Sequence, residues 1–141
     1  MLLDVNVLVY WSDSTSPLHE VVRRLIHQAD EAGDAIGVPW ITVLGWLRVV
    51  TNPKIPRSIP MADGIDDVGR LLARDTVWHP QAGPRHWEIL SRLVADAQLS
   101  GGGITDAHLA ALAIEHDLML VSFDRGFGRF AGLRWFNPAT P

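Results

Sequence analysis

Short apolar runs alternate with longer stretches of helical period along the whole of this chain. That order admits few folds. A strand, a helix crossing back over it and another strand, repeated, build an α/β domain with a central, largely parallel sheet. The expected strands are Leu2–Val5, Ala35–Val38, Thr76–His79, Leu118–Phe123 and Leu133–Phe136, with Leu118–Phe123 central and Leu133–Phe136 at an edge. Helices are expected at Asn6–Trp11, at His19–Ala32 ending on Gly33, and at Trp40–Val50. A fourth, Ala62–Arg74, places Asp66 and Arg70 as an i,i+4 pair. A fifth starts at Pro84 with Trp87, Leu90, Leu93, Val94 and Ala97 as its buried stripe, and a sixth, Asp106–His116, is capped by Thr105. The segment Thr51–Pro60 holds Pro53, Pro56 and Pro60 and reads as a loop, and Ser100–Gly103 as a flexible turn. With 141 residues and neither repeat nor linker, residues 1–141 are expected to form a single domain.

Charge and composition narrow the function classes. The net charge is −4, so the molecule as a whole does not attract nucleic acid, and any such contact needs a local basic patch. One candidate segment stands out: from Ala35 to Ala62 there is no acid, but there are Arg48, Lys54 and Arg57, which either solubilise a loop or contact phosphate. The absence of cysteine excludes disulfides, cysteine-bound zinc and thiol nucleophiles, and fits a cytoplasmic location. The N-terminal MLLDVNVLVYW is apolar but carries Asp4 and no basic residue, which makes it a poor signal peptide. No apolar run approaches the ~18 residues of a spanning helix, so no membrane association is expected.

Asp4 and Asp124 end expected strands, and Asp106 opens an expected helix. Taken singly, each has an ordinary explanation: Asp4 as a helix cap, Asp106 as a favourable charge at a helix N-terminus, and Asp124 as part of an Asp-Arg-Gly turn. Together they say more. Helices linking parallel strands begin at the strands' C-terminal edge, which is where open α/β sheets bind ligands. Three carboxylates meeting there repel one another unless a cation neutralises them. An all-carboxylate set without a histidine ligand group suits Mg²⁺ or Mn²⁺, whose common work is phosphodiester hydrolysis.

Other signals carry less. His19-Glu20 begins like a zinc-protease HExxH, but position 23 is Arg. The six histidines are scattered, Gly101-Gly102-Gly103 is not a nucleotide fingerprint, and no GxSxG elbow is present. The six tryptophans fall mostly on apolar faces, where core packing explains them.

LLDVNVLVY at 2–10, WLRVVTNP at 46–53, TDAHLAALA at 105–113 and LVSFDRGF at 120–127 resemble the PIN-domain ribonucleases and, among them, the VapC toxins of bacterial toxin–antitoxin pairs. The resemblance implies an α/β/α sandwich and Mg²⁺- or Mn²⁺-dependent cleavage of RNA. It further implies a cognate VapB-type antitoxin that blocks the site, and a homodimer. Residue by residue, Asp4, Asp106 and Asp124 match the family's catalytic and metal-binding acids, and Asn6 and Ser122 match the small polar residues beside them. Thr51 and Asn52 match the tail of the second motif. The chain departs from the pattern at Gly45, aligned with a frequent glutamate, and at Gly126, aligned with a frequent second aspartate.

The leading expectation is therefore a metal-dependent endoribonuclease toxin. Asp4 and Asp106 would hold the metal, Asp124 would act directly or through water, and Arg48, Lys54 and Arg57 would be RNA-contact candidates. Transfer-RNA or ribosomal-RNA loops are the expected targets, because single-stranded loops expose their bases. The alternative is a disarmed binding module in which the loss of an acid at Gly45 leaves an acidic pocket for a partner's arginine. A third possibility keeps the fold but takes structured DNA as substrate.

Overall fold

The computed structural model describes residues 1–140. Five parallel strands form its sheet: β1 (Leu2–Leu3), β2 (Ile36–Gly37), β3 (Val77–Trp78), β4 (Leu120–Val121) and β5 (Trp135–Phe136), in the order β3-β2-β1-β4-β5. Every pairing is parallel. The α-helices are α1 (Val5–Ser12), α2 (His19–Ala32), α3 (Trp40–Val50), α4 (Met61–Leu72), α5 (His86–Asp96) and α6 (Gly103–Glu115). A short 3-10 helix, Arg125–Arg129, follows β4.

β1 is the middle of the molecule. Leu2 faces Leu120 of β4 and Gly37 of β2, and Leu3 faces Val121. Successive side chains of a strand point to opposite faces, so these pairs seed two separate cores. Leu2 and Leu120 pack with Ile89, Leu93, Ala110 and Leu112 of α5 and α6. Leu3 and Val121 pack with Val7, Leu8, Val22, Ile26, Val43 and Leu71 of α1 to α4. The result is the expected α/β/α sandwich. Leu2 and Leu3 are both fully buried, and each such burial is worth about 1.5–3 kcal/mol. Among the described residues no helix is long and apolar enough to cross a membrane.

α2 and α3 have the bounds the sequence predicts, because their ends are chemically marked. Gly33 adopts φ 70° and returns its N–H to the carbonyls of Ala29 and Asp30, and Pro39 precedes α3. Elsewhere the structure corrects the reading. Asp4 is extended and accepts the Val5 N–H, so α1 starts at Val5 and the strand before it is shorter than expected. Gly102 is already helical, so α6 starts at Gly103 and Thr105 lies within its first turn instead of capping it. Arg70 pairs with Asp67, three residues away, and not with Asp66. Trp87 is 74% exposed: α5 turns His86, Ile89 and Leu93 inward, and Trp87 falls one position round the helix from that stripe.

Gly45 has a packing explanation. A Cβ added there would stand 2.6 Å from Cγ2 of Val5, inside contact distance. The missing side chain lets α3 lie closely against the first turn of α1, the turn that follows Asp4. An acid at 45 would have to displace Val5, so restoring a glutamate is not a simple repair. Gly45→Ala is expected to lower stability by about 1–3 kcal/mol through overpacking, despite alanine's better helix propensity. Urea unfolding checks this, and Val5→Ala in the same chain should recover most of the loss.

Candidate active site

The C-terminal ends of β1 and β4 are neighbours, and their side chains form one hydrogen-bonded group. Asp4 follows β1. Its Oδ1 accepts the Val5 N–H at 2.6 Å, and its Oδ2 accepts Asn6 Nδ2 at 2.8 Å and the Ser122 hydroxyl at 2.6 Å. Asn6, on the first turn of α1, also donates from Nδ2 to Ser122 Oγ at 3.1 Å and accepts the Phe123 N–H at 3.2 Å. Ser122, fully buried, accepts the Asp124 N–H at 3.0 Å. Ser122 therefore joins the first acid to the last. Asp124 in turn caps the 3-10 helix, with Oδ1 accepting the Gly126 N–H at 2.7 Å.

Asp106 approaches from the first turn of α6. Its Oδ2 accepts Arg129 Nη2 at 2.9 Å. Arg129 escaped the sequence reading; its one signal is an arginine in the turn that follows the last acid. Of the RNA-contact candidates, Arg48 borders a groove of about 490 Å³ lined by Val5, Ile41, Leu44, Gly45 and Thr105, next to Asp4 and Asp106 in sequence. Lys54 and Arg57 lie on the loop after α3. Arg57 bonds Thr15 Oγ1 and stands 3.8 Å from Asp13, beyond the far end of α1, about 12 Å of helix away from Asp4. Arg48 thus shares a groove with Val5 and Thr105, the sequence neighbours of Asp4 and Asp106, while Arg57 lies elsewhere.

Asp4 and Asp106 both feel neighbouring carboxylates. Burial pushes the Asp4 carboxyl above its ordinary 3.8, and the charges of Asp106 and Asp124 push it further, against the pull of the Ser122 and Val5 hydrogen bonds. Asp106 is also raised, by burial first and by Asp124, with Arg129 opposing. Among the described residues no three acids or histidines stand close enough to hold one ion directly. The donor set nevertheless fits a hard divalent cation. Mg²⁺ takes oxygen ligands, binds through one or two carboxylates and keeps several waters, and a cation here would relieve the repulsion that raises both pKa values.

A second polar cluster lies between α5 and α6, where the sequence showed only scattered histidines. His86 Nε2 is 2.9 Å from His108 Nδ1, and His86 Nδ1 is 3.4 Å from Glu115 Oε2. Burial, with His86 beside it, holds His108 below its ordinary value.

The raised Asp4 value has a consequence for stability in the presence of a metal chelator. The folded form binds the Asp4 proton more tightly than the unfolded chain does. Its contribution therefore falls as pH rises from 3.8 through the folded value, and the deficit persists above it. Urea midpoints of the native protein should decline across that window relative to those of Asp4→Asn, which has no proton to lose there. Parallel curves would contradict this.

The PIN domain family model matches residues 1–133. The chain is 36% identical to "Ribonuclease VapC37" of Mycobacterium tuberculosis over 138 residues, covering 97% of this chain and 96% of the relative. It is 37% identical to "Ribonuclease VapC25" of the same organism, covering 97% of each. Among solved structures, VapBC2 from Rickettsia felis bound to a promoter DNA fragment superposes with a TM-score of 0.74 at 16% identity, covering 96% of each chain. DNA-bound VapBC from Salmonella typhimurium gives 0.70 at 17% identity, covering 98% of this chain and 97% of that one. These two share the fold, while the family model and the curated relatives carry the kinship: the chain belongs to the PIN-domain family and to its VapC-type members.

Proposed function

We propose that this protein is a Mg²⁺- or Mn²⁺-dependent endoribonuclease, the toxin of a toxin–antitoxin pair. The observation that supports the reading is the hydrogen-bonded group of Asp4, Asn6, Ser122 and Asp124 at the C-terminal ends of β1 and β4, with Asp106 near enough that its charge helps raise the Asp4 pKa. The names of the curated relatives, ribonucleases all, support it. Two of the solved neighbours are named as VapBC assemblies, which supports a VapB-type antitoxin as partner.

In this mechanism Asp4 and Asp106 would hold the cation directly, and Asp124 directly or through water. Asn6 and Ser122 fix the Asp4 carboxylate, and Ser122 also ties down the backbone of Asp124. A bound Mg²⁺ or Mn²⁺ supplies Lewis-acid polarisation of the scissile phosphate and a lowered pKa for the attacking water. Asp124 Oδ2, free of protein hydrogen bonds among the described residues, is the carboxylate oxygen that would take a proton from an attacking water. Arg48 contacts the RNA backbone beside the groove, with Lys54 and Arg57 further along. The RNA is a single-stranded loop of a transfer or ribosomal RNA. The outward apolar face of α4, with Met61 and Ile65 more than half exposed, is the surface assigned to a homodimer.

The disarmed-module alternative drew on the missing acid at Gly45. The close contact with Val5 gives that glycine a packing reason, so it no longer argues for lost catalysis.

Asp106→Asn should leave the fold intact, weaken calorimetric Mn²⁺ binding and abolish cleavage. Mapping new RNA 5′ ends after induction, with this variant as control, should show a few sharp sites in the native protein alone. Identical maps from two soluble proteins would overturn the reading. Arg48→Gln should weaken binding to single-stranded RNA and lower the slope of log affinity against log salt by roughly 0.7, the value of one phosphate contact on a single strand. Fluorescence anisotropy across a salt series measures this; an unchanged slope removes Arg48 from the interface.

A further inference from the structure

Arg129 is not used by the mechanism above, yet its guanidinium is the one cation bonded to a site carboxylate among the described residues. It leaves the 3-10 helix five residues after Asp124 and reaches across to Asp106, so it links the two elements that carry those acids. Two contacts hold it there. The guanidinium carbon lies 4.9 Å from the centre of the Phe130 ring, and Phe130 is itself buried. One N–H of the guanidinium donates to Asp106. A guanidinium has five N–H donors in a planar fork, so most of its donors remain for another acceptor. The side chain is 39% exposed and Asp106 34%, so the pair is open to solvent and weak, worth at most about 1 kcal/mol.

A divalent cation on Asp106 and a guanidinium on the same carboxylate compete. They also repel each other unless an anion lies between them. We propose that Arg129 is a phosphate ligand of this site: it rests on Asp106 while no metal is bound, and turns to the phosphate of the RNA when metal and substrate load. Its fork matches two phosphate oxygens, which a lysine's point charge does not. The Asp106 pair then serves two ends. It lessens the self-repulsion of a metal-free acidic site, and it stores a substrate-binding cation within reach of the scissile bond. The inference rests on the ribonuclease reading.

The test separates the two. Mn²⁺ affinity is measured by calorimetry on the intact native protein, Arg129→Gln, Arg129→Lys and Asp106→Asn. RNA affinity is measured by anisotropy with a single-stranded RNA in Ca²⁺, over a salt series. Arg129→Gln should bind Mn²⁺ up to about fivefold more tightly, because the competing charge is gone. The same variant should bind RNA more weakly, with the salt slope reduced by roughly 0.7. Arg129→Lys should restore the salt slope and native-like Mn²⁺ affinity, but not the full RNA affinity. A purely structural role predicts the opposite sign for the metal: Arg129→Gln would bind Mn²⁺ more weakly because Asp106 had lost its support. That result, or an unchanged salt slope, overturns the inference. If the native protein and Asp106→Asn bind Mn²⁺ equally, it is the metal-site reading itself that fails.

Discussion

A carboxylate at the end of the central strand of a buried sheet is an expensive thing to keep, and most of the site answers to that cost. Asp4 directly follows Leu2 and Leu3, both without solvent exposure. Its oxygens accept from one backbone N–H, one amide and one hydroxyl, yet its pKa stays raised, because burial outweighs these bonds and two further acids stand nearby. The neighbouring strand β4 brings Ser122 to it. Because β1 and β4 are parallel and in register, Leu3 beside Val121 puts the next residues, Asp4 and Ser122, side by side. The sheet pairing, not a loop, sets the geometry of the acidic edge.

The same pairing explains why so much could be read from the chain. Apolar doublets bounded by polar residues mark strands, and the acids follow two of those doublets, so the edge they share was deducible from connectivity alone. What could not be read depends on facts about neighbours. Gly45 looked like a gap in a ligand set; only the position of Val5 on α1 reveals it as a contact point. Trp87 fits a helical stripe as well as His86 does, and which of them turns inward depends on the face that α5 lays against α6 and the sheet. Thr105 is an ordinary cap in sequence, but Gly102 and Gly103 before it are themselves helical and start the helix ahead of it. Arg48, Lys54 and Arg57 share one acid-free segment, yet α3 ends between them and sends Arg57 toward Asp13. Arg129 was invisible because nothing in a sequence says which of several acids an arginine will meet.

Electrostatically, the site has an acidic centre with cations at two sides. Arg129 touches the centre, and Arg48 borders the groove beside it. A protein of net charge −4 has to confine its attraction for a polyanion to such a place. The groove between α3 and the start of α6 has Val5, Ile41 and Leu44 along it, so an apolar wall lies next to the charged edge. That combination suits a single strand better than a duplex, since an unstacked base can use the wall while its phosphate meets the cations.

The bond between Asp4 and Ser122 spans 118 residues. β1 leaves the ribosome well before its partner β4, which follows it by more than a hundred residues. Long-range parallel pairings form late because the loop that joins them must close first. The acidic edge therefore does not exist in any nascent chain that stops short of β4, and such a product cannot assemble it. For a chain whose proposed activity is destructive to the RNA of its own cell, this order of synthesis delays the hazard until β4 has been made.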